Sequence, residues 1–114
     1  MQEISFEVRA FLKDQIQSAW QLDLLVAMIN LNQPVDANSL SKMLYSSQPA
    51  VESALQKFQL AGIVREIVGK PSAFVFSPRS EEIENVIKAT VKAYSIRRVD
   101  VINMIFSNPS RQTG

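Results

Sequence analysis

The chain has 114 residues, 46% of them hydrophobic and 20% charged, with a formal net charge of +1. That is the balance of one globular domain, not of a disordered tail. Cys and His are both absent. Thiolate or imidazole ligation of zinc, copper, haem or iron–sulfur clusters is therefore excluded, as is any Cys–His or Ser–His catalytic pair.

No disulfide can form, no cofactor is expected, and nothing in the residue inventory supports an enzyme. A carboxylate-only site would have to use Glu81, Glu82 and Glu84, but these lack the Asp-rich, Gly-centred loop of calcium sites and read as helix-start charges. No apolar run approaches the ~18 residues of a membrane span. The opening Met1-Gln2-Glu3-Ile4-Ser5-Phe6-Glu7 is polar and acidic, unlike a signal peptide, so the cytoplasm is the expected compartment. Charge is spread unevenly: residues 1–35 balance at −2, residues 36–76 at +1 and residues 77–114 at +2. A duplex binder usually carries a stronger basic patch than this.

Ile4, Val8, Phe11, Leu12 and Ile16 fall on one helical face and predict a first helix over 3–16. A second helix is expected from Ser18, a good N-cap residue, to about Asn30. Leu22, Leu25 and Ile29 fill one side of it, and Trp20, Leu24 and Ala27 nearly the opposite side. A helix apolar almost all round needs cover on more than one face, so it should be central. Val35, after Asn32-Gln33-Pro34, is a candidate for a very short strand. A third helix is expected over 37–45 with Leu40, Met43 and Leu44 inward.

Ser46-Ser47-Gln48-Pro49 supplies a turn, a cap and an early proline whose missing N–H costs nothing there. The fourth helix, about 48–61, should bury Val51, Ala54, Leu55 and Phe58, with Gly62 as its left-handed end. Two strand-like runs, 63–68 and 73–76, flank Gly69-Lys70-Pro71-Ser72, a hairpin tip. A long helix is then predicted over 80–106, stopped by Asn108-Pro109, with 110–114 as a frayed tail. The expected organisation is one domain over 1–109 with its core at 18–76.

Helix, short strand, helix, tight turn, helix, glycine and hairpin is the order of a winged helix-turn-helix domain. The run Ser47-Gln48-Pro49-Ala50-Val51-Glu52-Ser53-Ala54-Leu55-Gln56-Lys57-Phe58-Gln59-Leu60-Ala61-Gly62-Ile63-Val64 resembles the recognition helix and first wing strand of the MarR-like and ArsR-like bacterial regulators. The resemblance covers residues 18–76. Phe11-Leu12, Ser18-Ala19-Trp20-Gln21-Leu22-Asp23 and Tyr94-Ser95-Ile96-Arg97-Arg98-Val99 look, more loosely, like small bacterial winged-helix proteins. This resemblance implies a mainly α fold with a β-hairpin wing and extra terminal helices, acting as a transcriptional regulator that binds duplex DNA as a homodimer. The alternative is a winged-helix module that docks on another protein, which would account for the thin positive charge. The operator, any small-molecule effector and the sign of regulation are not readable.

On the DNA reading, Ser47, Gln48, Ser53, Gln56 and Lys57 of the fourth helix, with Arg65 and Lys70 of the wing, are the candidate contacts. Gln56 would bond an adenine edge, Ser53 a base or phosphate, and Lys57 a phosphate. The Gln48 and Ala50 amides would hold a further phosphate. The same residues read equally as a solvated helix face and an ordinary hairpin. Glu52 stands among them and repels phosphate.

A predicted helix of 27 residues would run about 40 Å. That outreaches a domain with a radius of gyration of about 13–14 Å. Its apolar second half, with the stripe of the first helix and the all-round second helix, predicts a dimer through Val8, Phe11, Leu12, Trp20, Leu24, Tyr94, Val101, Ile102 and Ile105. Arg98 is expected to pair with Glu84 or Asp100 of a neighbouring chain. The competing arrangement folds the first helix over the last within one chain. Tyr94, on the buried stripe, needs a partner for its hydroxyl.

Overall fold

The computed structural model describes residues 4–107. The tail at 110–114, the Asn108-Pro109 stop and the first residue of the expected opening helix lie outside them.

Six helices and three short strands follow the expected order: α1 (Phe6–Gln15), α2 (Ala19–Leu31), β1 (Val35–Asp36), α3 (Ala37–Leu44), α4 (Gln48–Leu60), β2 (Val64–Ile67), β3 (Ala73–Phe76), α5 (Glu81–Ile96) and α6 (Arg98–Phe106). The strands form an antiparallel sheet in the order β1-β3-β2, with Val35 opposite Phe74 and Arg65 opposite Val75. Most helix starts are set by a side-chain oxygen that accepts an otherwise orphaned amide. Ser5, Asp36, Ser47 and Ser80 cap Val8, Ser39, Ala50 and Ile83 in this way. Ser18 stands at the N-cap of α2 but makes no such bond. Gln21 reaches back to accept the Gln17 amide at 2.8 Å instead.

α2 buries Leu22, Leu24, Leu25 and Met28 completely or nearly so, as an all-round apolar helix must. α3 and β3 pack against it. In α3 the inward face is Ala37, Leu40 and Ser41, while Met43, expected inside, is exposed. The helix stops at Leu44 because Tyr45 takes a left-handed conformation, φ 54°, which turns the chain after the 37–40–41–44 face is complete.

α4 buries Val51, Ala54, Leu55 and Phe58 as the spacing predicts. Gly62 follows at φ +79°. The left-handed backbone is what requires glycine here, and a Cβ would also fall 2.6 Å from Nη2 of the Arg79 guanidinium, displacing that side chain. Arg79 in turn donates from Nη2 to the Leu60 carbonyl at 3.3 Å, tying the end of α4 to the approach to α5.

The predicted 80–106 helix is broken. Arg97 leaves the helical region at φ −125°, ψ 54°, and α6 turns back to pack beside α5 and α1. Backbone bonds close each helix at the break: the Arg97 amide donates to the Ala93 carbonyl, and the Val101 amide donates to the Arg97 carbonyl. The Arg97 side chain grips Asp100 through Nε at 2.9 Å and Nη2 at 2.8 Å.

This bend corrects the expected dimer surface. Val8, Phe11, Leu12, Leu24, Tyr94, Val101 and Ile105 are all buried within one chain, because α1 covers α5 and α6 of its own molecule. Only Trp20 and Ile102 of the expected set keep partial exposure. On the terminal helices the large apolar residues that do face outward are Phe6, Ile96, Val99 and Phe106. Nor does Arg98 await a neighbour's carboxylate: it lies over the Tyr94 ring, 4.5 Å from the centroid. Asp100 is held by Arg97, and Glu84 by Lys88 at 2.8 Å.

Tyr94 finds its partner across the core, donating its hydroxyl proton to Asp23 Oδ1 of α2 at 2.8 Å. Burial, with the hydrogen bond and the charge of Asp23, pushes this phenol from 10.0 up to about 12, against the opposing pull of Arg98. The folded state thus favours neutral Tyr94. Its contribution is fully present below pH 10 and is lost as pH rises from about 10 through about 12. Tyr94→Phe should cost about 0.5–1.5 kcal/mol at neutral pH. It should also flatten the fall in stability over that alkaline window. Urea melts of both proteins at pH 8, 10 and 11 check this, and parallel curves would contradict it.

Candidate nucleic-acid interface

α3 and α4 are joined by Tyr45-Ser46-Ser47, and the wing formed by β2 and β3 stands beside α4. Pro49 in the first turn of α4 and the Ser47 cap fix where the helix begins. Its inward stripe leaves Gln48, Pro49, Glu52, Ser53, Gln56 and Leu60 exposed and Lys57 half-buried.

Between that arc and the wing lies a groove of about 820 Å³. Gln48, Ser53 and Gln56, three of the sequence-predicted contacts, line it together. Phe74 and Ala37 supply an apolar floor, and Ser72, Pro71 and Asn38 line the rim. Asp36, Glu52 and Glu66 also line it, and these are all the acidic residues between 36 and 76. None of the four cations of that stretch, Lys42, Lys57, Arg65 and Lys70, does so.

Strand alternation explains the separation of charge. Arg65 and Glu66 are consecutive in β2 and so point to opposite faces of the sheet. Glu66, opposite Phe74, faces the groove. Arg65 lines a neighbouring depression with Gln56, Leu60 and Arg79. Lys70 stands exposed at the wing tip, where the Ser72 hydroxyl accepts the Gly69 amide at 3.4 Å. The Ser39 hydroxyl and amide hold the Asp36 carboxyl below its usual range, so this wall of the groove is firmly anionic.

The backbone phosphate site expected at the start of α4 is reduced. The Ala50 amide is taken by Ser47 Oγ at 3.2 Å, and Pro49 has no N–H. Of the expected pair only the Gln48 amide remains. The Gln48 side chain is engaged with Glu52, donating from Nε2 to Oε2 at 3.3 Å. Sequence reasoning missed Asp36, Asn38, Glu66 and Ser72 as groove residues, because they come from β1, α3, β2 and the wing turn and share no spacing with α4. Among the described residues no group of three or more His, Cys, Asp or Glu stands where it could hold a metal ion. No helix there is long and apolar enough to cross a membrane.

A helix-turn-helix pair followed by a packed β-hairpin defines the winged-helix fold. Solved structures with this fold include the ST1889 protein of the thermoacidophilic archaeon Sulfolobus tokodaii, which is 20% identical over 81% of this chain and 91% of its own, with a TM-score of 0.58. The transcriptional regulator Tm0710 of Thermotoga maritima is 22% identical, covering 90% of this chain and 69% of its own at a TM-score of 0.55. RV1404 of Mycobacterium tuberculosis is 14% identical over 94% and 74%, also at 0.55. No family model matches the sequence, and no curated protein does. At these identities the likeness establishes the fold.

The cap carries a direct test. Ser47→Ala should destabilise the protein by about 1 kcal/mol, because the Ala50 amide loses its acceptor. A chemical melt with an unchanged midpoint would show that the start of α4 does not depend on it.

Proposed function

We propose that this chain is a transcriptional regulator that binds duplex DNA through α4 and the wing, as a homodimer. The observation that carries the reading is the outward arc of α4. Gln48, Glu52, Ser53 and Gln56 stand exposed together, with donors and acceptors at helical spacing and a hairpin alongside. That is the arrangement by which a recognition helix reaches base edges while a wing steadies it. Lys70 at the wing tip and Lys57 on α4 are the phosphate contacts of this reading. The described neighbour Tm0710, a transcriptional regulator by name, lends support at the level of the fold.

The dimer half of the reading moves to a new surface. Val99, Ile102 and Phe106 recur at i, i+3 and i+7 along α6, and Ile96 precedes them at the bend. Val99 is 70% exposed and Phe106 67%. An uncovered stripe of this kind is stabilised by pairing with its own copy about a two-fold axis.

A second reading has a specific observation behind it. Asp36, Glu52 and Glu66 make the groove beside α4 repel phosphate, which suits a winged helix that docks on another protein. Salt separates the two. Duplex affinity should fall steeply with ionic strength, and Lys57→Ala and Lys70→Ala should each lower that slope by about one. Gln56→Ala should relax base preference without changing the slope. Fluorescence anisotropy with no duplex binding even at about 50 mM salt would leave only the docking reading. Light scattering should give twice the 12.8 kDa chain mass, and Val99→Asp should return it to one.

A further inference from the structure

We infer that Glu52 is a base-reading residue that selects cytosine; this rests on the DNA-binding reading above and names what that site would prefer.

Glu52 lies one turn beyond the Ser47 cap, in the half of α4 that a recognition helix presents to the major groove. It is exposed, and no cation lines the groove around it. On a surface offered to phosphates, an uncompensated carboxylate weakens binding wherever it meets backbone. It strengthens binding only where the partner presents a donor. The carboxylate is also aimed: Gln48 Nε2 holds Oε2 at 3.3 Å, along the row formed by positions 48, 52 and 56. That leaves Oε1 of this exposed side chain as an acceptor.

The major groove offers two donors, the N6 amino group of adenine and the N4 amino group of cytosine. They differ in what flanks them. Adenine N6 sits between two acceptors, its own N7 and O4 of the paired thymine. Cytosine N4 has one acceptor beside it, O6 of the paired guanine, and a C5–H on the other side. A fully charged acceptor is repelled from both flanks at adenine and from one at cytosine. Gln56, with a donor and an acceptor of its own, has no such bias and suits adenine N6 and N7. Glu52 therefore does two things. It selects a C·G pair, and it suppresses binding to every duplex that offers no donor at that depth.

The test is selection from a library of random duplexes at low salt with the wild-type chain and with Glu52→Gln. Because Glu52 is a solvent-facing helix residue, the isosteric amide leaves the core untouched. The wild-type pool should fix one cytosine, and changing that C·G pair to T·A should weaken binding about tenfold or more. In the Glu52→Gln pool the same position should turn to adenine, and affinity for unselected duplex should rise. A fixed cytosine that survives Glu52→Gln unchanged would overturn the inference while leaving the DNA reading in place. Failure of the wild-type chain to retain any duplex would overturn that reading, and the inference with it.

Discussion

Everything in this molecule is arranged around a helix that has no wet side. α2 carries apolar residues at nearly opposite azimuths, and Leu22, Leu24, Leu25 and Met28 all end up buried. One covering layer is not enough for such a helix. α3 and β3 supply cover from the helix-turn-helix side. From the terminal side, α5 reaches α2 through the Tyr94–Asp23 hydrogen bond. Burying the ring body while satisfying its hydroxyl on a carboxylate of α2 fixes α5 in one azimuth. The winged-helix elements and the terminal helices thus share one continuous hydrophobic cluster.

Local chemistry made the central part of the fold legible. Ser47, Pro49 and Gly62 each demand a particular backbone state, and the structure puts each in that state. The break at Arg97 had no such signal, since Tyr94-Ser95-Ile96-Arg97-Arg98-Val99 contains neither Gly nor Pro. Its cause is tertiary. An unbroken helix would hold Val101 and Ile105 away from the core, whereas the bend buries both. Most of the residues expected to line a dimer are covered within one chain for the same reason. The radius of gyration, 13.9 Å, is the expected one, but the helix that was to outrun it is folded in at Arg97 so that α6 packs beside α5 and α1. Met43 was misplaced because it lies off the face formed by 37, 40, 41 and 44, which is the one α3 turns inward.

At the candidate interface the residue types on α4 were readable, and their electrical surroundings were not. Charge summed along residues 36–76 is slightly positive. Charge sorted by face is a different quantity, and here the sheet does the sorting. Glu66 lines the groove, whereas Arg65 lines only the neighbouring depression at the far end of α4, which Glu66 also borders. Adjacent residues in a strand contribute to opposite surfaces, so a running sum over sequence averages what the pleat separates.

The closure of α1 onto α5 and α6 also sets an order of events. Ile4 and Ser107, the outermost described residues, line one shallow depression. The apolar face of α1 leaves the ribosome first among the described elements, and its cover leaves last. α2, α3, α4 and the wing have the means to associate while the chain is still growing, because their contacts are close in sequence. α1 has to wait, holding Val8, Phe11 and Leu12 without their partners until α5, and then α6, arrives. Closing so long a loop is paid for in chain entropy before any contact repays it. A truncation that removed α6 would therefore do more than shorten the molecule. It would take away the part of α1's cover that α6 supplies and bare the side of α5 against which α6 packs.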